Sequence, residues 1–419
     1  MRILVLSNFY PPHYIGGYEL GCHDAVEALK TRGHEVKVLT SSYGLEKPGY
    51  HDGVYRWLET DINWKSWKEL GLVKYISGLL KKELYNQKCL KKICAEFAPD
   101  AVYIWKLTHT SISLVFTVQD LGFPVCYYVF DHWLNDWKTD DRWYRLWYRV
   151  KPEKFMALGK IPFVFFFEST GLLRKSSLDL RYTQFASAFL KQAALSAGHP
   201  VTTAEVIPWG IDVNQFPYNH DGNMPPRLLF VGRIIPQKGV HTIIEAVQIL
   251  VHREGYESLT LTIVGGYEKS EYRDQLEKMV DTSGIKNNIH FMGFLPRDKI
   301  HQVYRNHEIF LFPSVWDEPF GIVILEAMSC GLAIIGTATG GSAEILQNDE
   351  MAALTFPKEN AEKCATQIKR LLLDPGLLET IRKAGRHRVE EKFRFDHTID
   401  LIEKSLEFAI RKKNEDTLS

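Results

Sequence analysis

Two glutamates, Glu318 and Glu326, bracket the apolar stretch EPFGIVILEAMSCGLAIIGTATGG at residues 318–341. A membrane-spanning helix is the first reading of an apolar run of about twenty residues. It fails: Glu326 would stand near the bilayer centre, where an unpaired carboxylate costs at least ~2.5 kcal/mol, and Gly321, Gly331, Gly336, Gly340 and Gly341 divide the segment. The stretch reads instead as helix, turn, buried strand, turn. Pro319 biases Glu318 toward extended backbone and suits the first turn of a helix, which predicts a helix beginning near Phe320. The first amides of that helix, from Phe320, Gly321, Ile322 and Val323, are unpaired and stand at its positive end, an arrangement suited to a diphosphate. Glu326 lies one turn beyond Ile322, and helical side chains lean toward the N-terminus, so its carboxylate reaches back toward the same ligand. Glu318 then lies on one side of a bound diphosphate and Glu326 on the other. The alternative is a soluble core helix whose carboxylates cap it or are merely tolerated.

The elements that must position these groups follow one plan used twice. RILVLSNF is a short apolar run, followed by the loop YPPHYIGG and a helical pattern that closes on Gly33. Near residue 227 the plan recurs: strand RLLFVGR, loop IIPQKG, and a helix VHTIIEAVQILVHREG ended by Gly255. Buried strands between helices continue each half, with HEVKVLT, DAVYIW and PVCYYVF in the first and LTLTIVGG, NIHFMGF, EIFLFPS and LAIIGTA in the second. Short apolar strands alternating with helices predict parallel sheets, hence two doubly wound α/β domains whose strand ends face a shared cleft. The boundaries expected are 1–215 for the first domain, a proline- and glycine-rich linker at 216–226, and 227–395 for the second. A last helix at about 396–419 follows the second sheet and is free to pack back on the first domain.

Composition narrows the function. Lysine plus arginine equals aspartate plus glutamate at 51 each, so no overall field recruits nucleic acid, and an anionic ligand must be met locally. Six scattered cysteines form no CxxC pair, no HExxH occurs, and the N-terminal apolar run is short for a signal peptide. The expectation is a reduced, cytoplasmic location without a zinc site. GxGxxG is absent from both halves, which removes the strongest sign of a dinucleotide dehydrogenase.

GRIIPQKG (232–239), EPFGIVILE, SNFYPPHYIGGYE, VIPWGID (206–212) and TGGSAEI (339–345) together resemble the group 1, or family 4, glycosyltransferases with the two-domain GT-B fold. The likeness runs over nearly the whole chain. It implies two Rossmann-like domains facing a central cleft, the first binding the acceptor and the second the nucleotide sugar. It implies that Glu318 binds the donor sugar and Glu326 the ribose. Arg233 and Lys238, with Gly232, become a phosphate-binding loop rather than solvated surface. The pair Gly16 and Gly17 becomes a close backbone approach to the ligand, the alternative being a tight turn after the first strand. MGFLP (292–296) resembles the loop that holds the base, with Phe294 and Leu295 as candidate uracil contacts.

One departure concerns the histidine that family members carry at a strand end near the reaction centre. This chain reads YVFDHW, with Asp131 before His132; His132 is the expected holder of the role, with Asp131 as the substitute or both as structural residues. The aromatics around it, from Tyr127 to Tyr148, suit sugar or lipid stacking and equally suit packing. Asp-x-Asp is absent, and adjacent Asp140 and Asp141 are a weaker metal candidate. A guanidinium and an ammonium can neutralise a departing diphosphate in place of Mg²⁺.

The resemblance thus implies a retaining, metal-independent hexosyltransferase using a UDP-sugar, UDP-glucose foremost. Its acceptor is expected to be a glycan or lipid-linked saccharide, with peripheral contact at the inner membrane face. No cofactor is expected. The alternatives are a UDP-sugar epimerase of the same fold and a noncatalytic nucleotide-sugar-binding protein.

Overall fold

A computed structural model describes residues 1–149, 166–168, 173, 177–218, 227–267, 270–346 and 351–418. The chain divides into two compact units, Met1–Ile207 with Ile399–Ser419, and Pro208–Thr398. The first unit is built on strands β1 (Arg2–Ser7), β2 (Glu35–Ser41), β3 (Gly49–His51), β4 (Val54–Leu58), β5 (Ala101–Lys106), β6 (Val125–Val129), β7 (Tyr182–Phe185) and β8 (Glu205–Val206). They form one sheet in the order β3-β4-β2-β1-β5-β6-β7-β8, parallel except for the β3–β4 hairpin. Helix α1 (Gly17–Thr31) follows β1, and a short α2 (Trp67–Leu70) and a long α3 (Leu72–Phe97) lead into β5. Helix α4 (Trp133–Asp140) follows β6.

The second unit carries β9 (Leu228–Val231), β10 (Leu261–Val264), β11 (Ile289–Gly293), β12 (Ile309–Phe312), β13 (Ala333–Gly336) and β14 (Leu354–Thr355). Their order is β11-β10-β9-β12-β13-β14, parallel throughout. This is the doubly wound order whose chain direction reverses between the first strand, β9, and the fourth, β12. Helix α5 (Val240–Glu254) returns from β9 and buries Val240, Ile243, Ile244, Val247 and Leu250, the three-and-four spacing that turns one face of a helix onto a sheet. Each such side chain contributes about 1.5 to 3 kcal/mol when removed from water.

Two boundaries differ from those expected. Helix α6 starts at Ile322 and runs to Ser329, two residues later than Phe320. Phe320 is buried with its ring edge-on to Phe393, 6.1 Å between centroids, and Gly321 caps the helix at φ 123°, a conformation that leaves only glycine unstrained. The expected linker lies outside the described residues from 219 to 226. Phe216, at its start, is buried in the second unit with its carbonyl accepting from Ser329 Oγ at 2.7 Å and Arg386 Nη1 at 3.0 Å. The compact units part at Ile207, earlier than 215. The last helix, α7 (Phe395–Leu418), joins the first unit from Ile399 onward, where Arg32 pairs with Asp400 and Glu403 at 2.7 Å each.

Candidate active site

In the second unit the switch point between β9 and β12 is closed by contact between the loops that follow them. Gly239, at φ +65°, ends the β9 loop with the position of a Cβ only 2.0 Å from the Pro313 carbonyl oxygen, so no side chain fits there. The Val315 amide donates to the Gln237 carbonyl at 2.9 Å, and Ser314 Oγ lies 3.2 Å from the same carbonyl oxygen. This contact carries Lys238 to Glu318: Nζ lies 2.6 Å from Oε1, and Ser314 Oγ donates to that oxygen at 2.5 Å. The loop after β13 pins the backbone of Glu318 from behind. Thr337 Oγ1 donates to the Ser314 carbonyl at 2.6 Å, Thr339 Oγ1 to the Trp316 carbonyl at 2.8 Å, and the Gly341 amide to the Glu318 carbonyl at 2.6 Å.

Glu318 is therefore a buried carboxylate already occupied by a cation. The sequence placed Lys238 and Glu318 on a common ligand but did not pair them. Arg233, on the same β9 loop, is exposed. Gly232 stands at the strand end beneath it. Glu326 sits in the second turn of α6, buried, with Tyr304 Oη donating to its Oε2 at 2.9 Å. Burial first, and then the Glu326 charge, hold the Tyr304 phenol well above its usual pKa, so it stays a donor. At the head of α6 the Ile324 amide is satisfied by the Gly321 carbonyl at 3.0 Å, which leaves Ile322 and Val323 as the first amides of the helix. Phe320, expected among them, lies outside the helix. Phe294 and Leu295 follow β11 on the same edge of the sheet; Phe294 is two-thirds exposed and Leu295 less so.

The first unit presents its own switch point, between β1 and β5. Asn8 ties the two loops together, its amide donating to the Lys106 carbonyl at 2.8 Å and its Nδ2 to the Thr108 carbonyl at 2.9 Å. Tyr18 Oη donates to Asn8 Oδ1 at 2.6 Å, and Lys106 Nζ lies 4.5 Å over the Tyr18 ring. The glycine pair behaves unequally. Buried Glu19 accepts from the amides of Ile15 at 3.2 Å and Gly16 at 2.9 Å, so Gly16 serves the helix cap, whereas open space lies over Gly17.

After β6, Asp131 is tied down: Oδ2 binds Lys106 Nζ, and Oδ1 accepts from the Trp133 amide at 3.0 Å. His132 caps α4, partly exposed, with its ring edge-on to Phe189 at 5.8 Å. Asp141 accepts from the backbone amides of Ile112 at 2.8 Å and Tyr144 at 3.0 Å, one on each oxygen, which occupies it as a structural cap rather than a metal ligand. Among the described residues no group of three or more His, Cys, Asp or Glu is arranged around a possible metal ion.

Sequence reasoning missed Ser314, four residues before Glu318 in the same loop, Tyr304 at the end of the helix Arg297–Tyr304, and Thr337 and Thr339 in the loop after β13, which no motif of the chain announces. It also missed a buried ionic cluster beside the β5 loop. There Lys82 Nζ meets Asp61 at 3.0 Å and the His109 carbonyl at 3.4 Å, while His109 Nδ1 lies 3.2 Å from Asp61. Burial raises the Asp61 carboxyl, but His109 and Lys82 outweigh it and hold the group below its usual range.

Comparison with known proteins agrees with this architecture. Residues 214–388 match the family model described as glycosyl transferases group 1. An uncharacterized glycosyltransferase of Methanocaldococcus jannaschii is 25% identical over 95% of each chain. A GDP-mannose-dependent phosphatidylinositol monomannoside mannosyltransferase of Mycobacterium tuberculosis is 25% identical over 54% of this chain and 61% of its own length. The solved structure of Anabaena HepE in complex with UDP and glucose superposes with a TM-score of 0.66 at 18% identity, covering 97% of this chain and 99% of that one, a likeness of fold.

Proposed function

We propose that this chain, which belongs to the group 1 glycosyltransferases with the GT-B fold, transfers a hexose from a UDP-sugar, UDP-glucose foremost, to a glycan or lipid-linked saccharide with retention of anomeric configuration. The observation that carries the reading is the Lys238–Glu318–Ser314 arrangement at the β9/β12 switch point, beside the N-terminal end of α6. A diphosphate laid on that end meets the amides of Ile322 and Val323 and the charges of Arg233 and Lys238. Glu318 keeps Lys238 fixed in direction and, through its second oxygen, addresses the donor hexose. Glu326, with Tyr304 holding one oxygen, addresses the ribose.

Retention without a covalent intermediate places the incoming hydroxyl on the same face as the departing diphosphate. A diphosphate oxygen takes the acceptor proton as the glycosidic bond breaks, and the transition state resembles an oxocarbenium ion. Negative charge grows on the diphosphate in that state, so Arg233, Lys238 and the helix amides hold it more tightly than they hold the ground state. These charges perform the neutralisation in place of a metal. In the first unit Gly17, Lys106 and His132 stand at the carboxyl edge of that unit's own sheet, beyond β1, β5 and β6, and are its candidate contacts for the acceptor.

The mannosyltransferase relative makes GDP-mannose the specific rival donor. A panel of UDP-glucose, UDP-galactose, UDP-N-acetylglucosamine and GDP-mannose, read as release of free nucleotide, tests the proposal. UDP-glucose should give the largest kcat/KM. Greatest turnover of GDP-mannose would reassign the donor, and sugar interconversion without nucleotide release would indicate an epimerase.

A further inference from the structure

The segment that enters and begins α3 combines exposed apolar side chains with exposed lysines. KSWKELGLVK (65–74) places Trp67 at 53%, Leu72 at 39% and Val73 at 83% exposure, on either side of the α2–α3 junction. Lys65, Lys68 and Lys74 surround them and are themselves exposed. Along α3 the residues Val73, Ser77, Lys81, Leu84, Lys88 and Lys91 recur at spacings of four, four, three, four and three, which sets them on one stripe of the helix, and all are exposed. The opposite face buries Tyr75, Leu79, Leu90, Ile93 and Phe97 against the unit. Glu69 is the one exposed acidic residue between Lys65 and Ala95, in a chain whose charges otherwise balance at 51 each. Among the described residues no ion pair includes Lys65, Lys74, Lys81, Lys88 or Lys91.

The position of this face is fixed by the topology of the first unit. Helix α3 ends three residues before β5, so its N-terminal end lies toward the carboxyl edge of the sheet, the edge that bears the loops after β1, β5 and β6. With 26 residues, α3 is about 39 Å long, against about 20 Å for the six-residue β5. Lys82 already touches the His109 carbonyl in the loop beyond β5, so residues 72–81 extend roughly 15 Å further. Trp64 packs beneath them, its ring in contact range of Gly78, so the projecting turns have a covered inner side and an open outer one.

We propose that the 65–74 tip and the outer stripe of α3 dock this protein on an anionic lipid bilayer, with Trp67, Leu72, Val73 and Leu84 entering the interfacial layer and the lysines meeting lipid phosphates. The chemistry matches one occupant. A tryptophan and three aliphatic side chains interleaved with unpaired lysines are what an anionic interface takes up, because the indole ring settles at headgroup level and each lysine gains from the negative surface potential. No helix of the described chain is long and apolar enough to cross a membrane, so the contact lies on the surface. Its use in catalysis, presenting a lipid-linked acceptor at the edge that bears His132, rests on the function proposed above; the docking itself does not.

The full chain is tested by flotation with vesicles of pure phosphatidylcholine and with vesicles containing one third phosphatidylglycerol, at physiological ionic strength and without nucleotide. Binding to the anionic vesicles alone is expected. Replacing Lys65, Lys74 and Lys81 together by Gln should weaken it by roughly a hundredfold, about fivefold for each lysine. Trp67→Ser with Val73→Ser should also release the protein while leaving the unfolding midpoint and UDP affinity unchanged. No flotation with anionic vesicles, or flotation undiminished in both variants, overturns the proposal. So does a lipid-free sedimentation equilibrium in which the wild type is dimeric and the tip variant monomeric, since the face then serves a second copy. Donor turnover is read separately, so failure of transfer with intact flotation rejects the catalytic reading and not the docking.

Discussion

Lys238 illustrates how a single contact changes the meaning of a residue. As part of a glycine-flanked basic loop it reads as a free phosphate binder; beside Glu318 it is a cation held in place by a buried carboxylate. A fixed ammonium that need not reorganise is the more effective stabiliser of charge that appears only in the transition state. Glu318→Ala should therefore lower turnover while leaving UDP affinity unchanged or slightly stronger, because Lys238 loses its competitor. Isothermal calorimetry with UDP beside steady-state kinetics reads both; a loss of UDP affinity equal to that of Glu326→Ala contradicts the assignment. Glu326→Ala should weaken UDP by about 1.5 to 3 kcal/mol, the scale of a hydrogen bond to a charged group. Arg233→Lys keeps the charge but loses the planar fork, and should recover only part of the rate lost in Arg233→Ala.

Loops and helices decide where those residues stand, and they were unequally legible in the sequence. The strands, the repeated strand–loop–helix plan and helix α5 could be read from period and from Gly255, because burial dictates residue type directly at those positions. The start of α6 could not. Pro319 signals a helix at Phe320, but the aromatic ring is drawn into the core against Phe393 and the helix waits for Gly321 to turn the chain. Glu318 and Glu326 were visible as chemistry, whereas Ser314 was not because a lone serine in a loop carries no signal of its own, and Tyr304 and Thr337 were not because they reach the site from a helix and a loop about twenty residues away. The ionic cluster under the β5 loop was hidden for the same reason, and it has a measurable consequence. Burial, opposed by Lys82 and reinforced by Asp141, pushes Glu83 up to about 8 from 4.5. The folded state keeps that proton while the unfolded chain releases it, so stability falls as pH rises from 4.5 toward 8, by about 1.4 kcal/mol per pH unit from this group. Glu83→Gln should remove that slope. Urea midpoints at several pH values across the window should show the variant gaining on the wild type as pH increases.

At the scale of the whole molecule, α7 is the element that returns the chain to its first unit. Ile402, Leu406 and Ala409 are buried there, and Arg32 and His34 pair with Glu403 at 2.7 and 2.6 Å. A chain ending at Thr398 forfeits about 1.5 to 3 kcal/mol for each of the two larger side chains. Calorimetric melting should show a destabilised first unit while UDP affinity persists, because the nucleotide contacts proposed here belong to residues 208–398. The balance of 51 basic and 51 acidic residues gives no global field to hold a charged donor, so the chemistry depends on the few charges at the β9/β12 switch point. The most direct test measures UDP release from UDP-glucose by the wild type and by Lys238→Ala, each with and without EDTA. The wild type should be indifferent to chelator, and Lys238→Ala should lose on the order of thirty- to a thousandfold in kcat, about 2 to 4 kcal/mol. Loss of wild-type activity in EDTA, restored by Mn²⁺ or Mg²⁺, would contradict this.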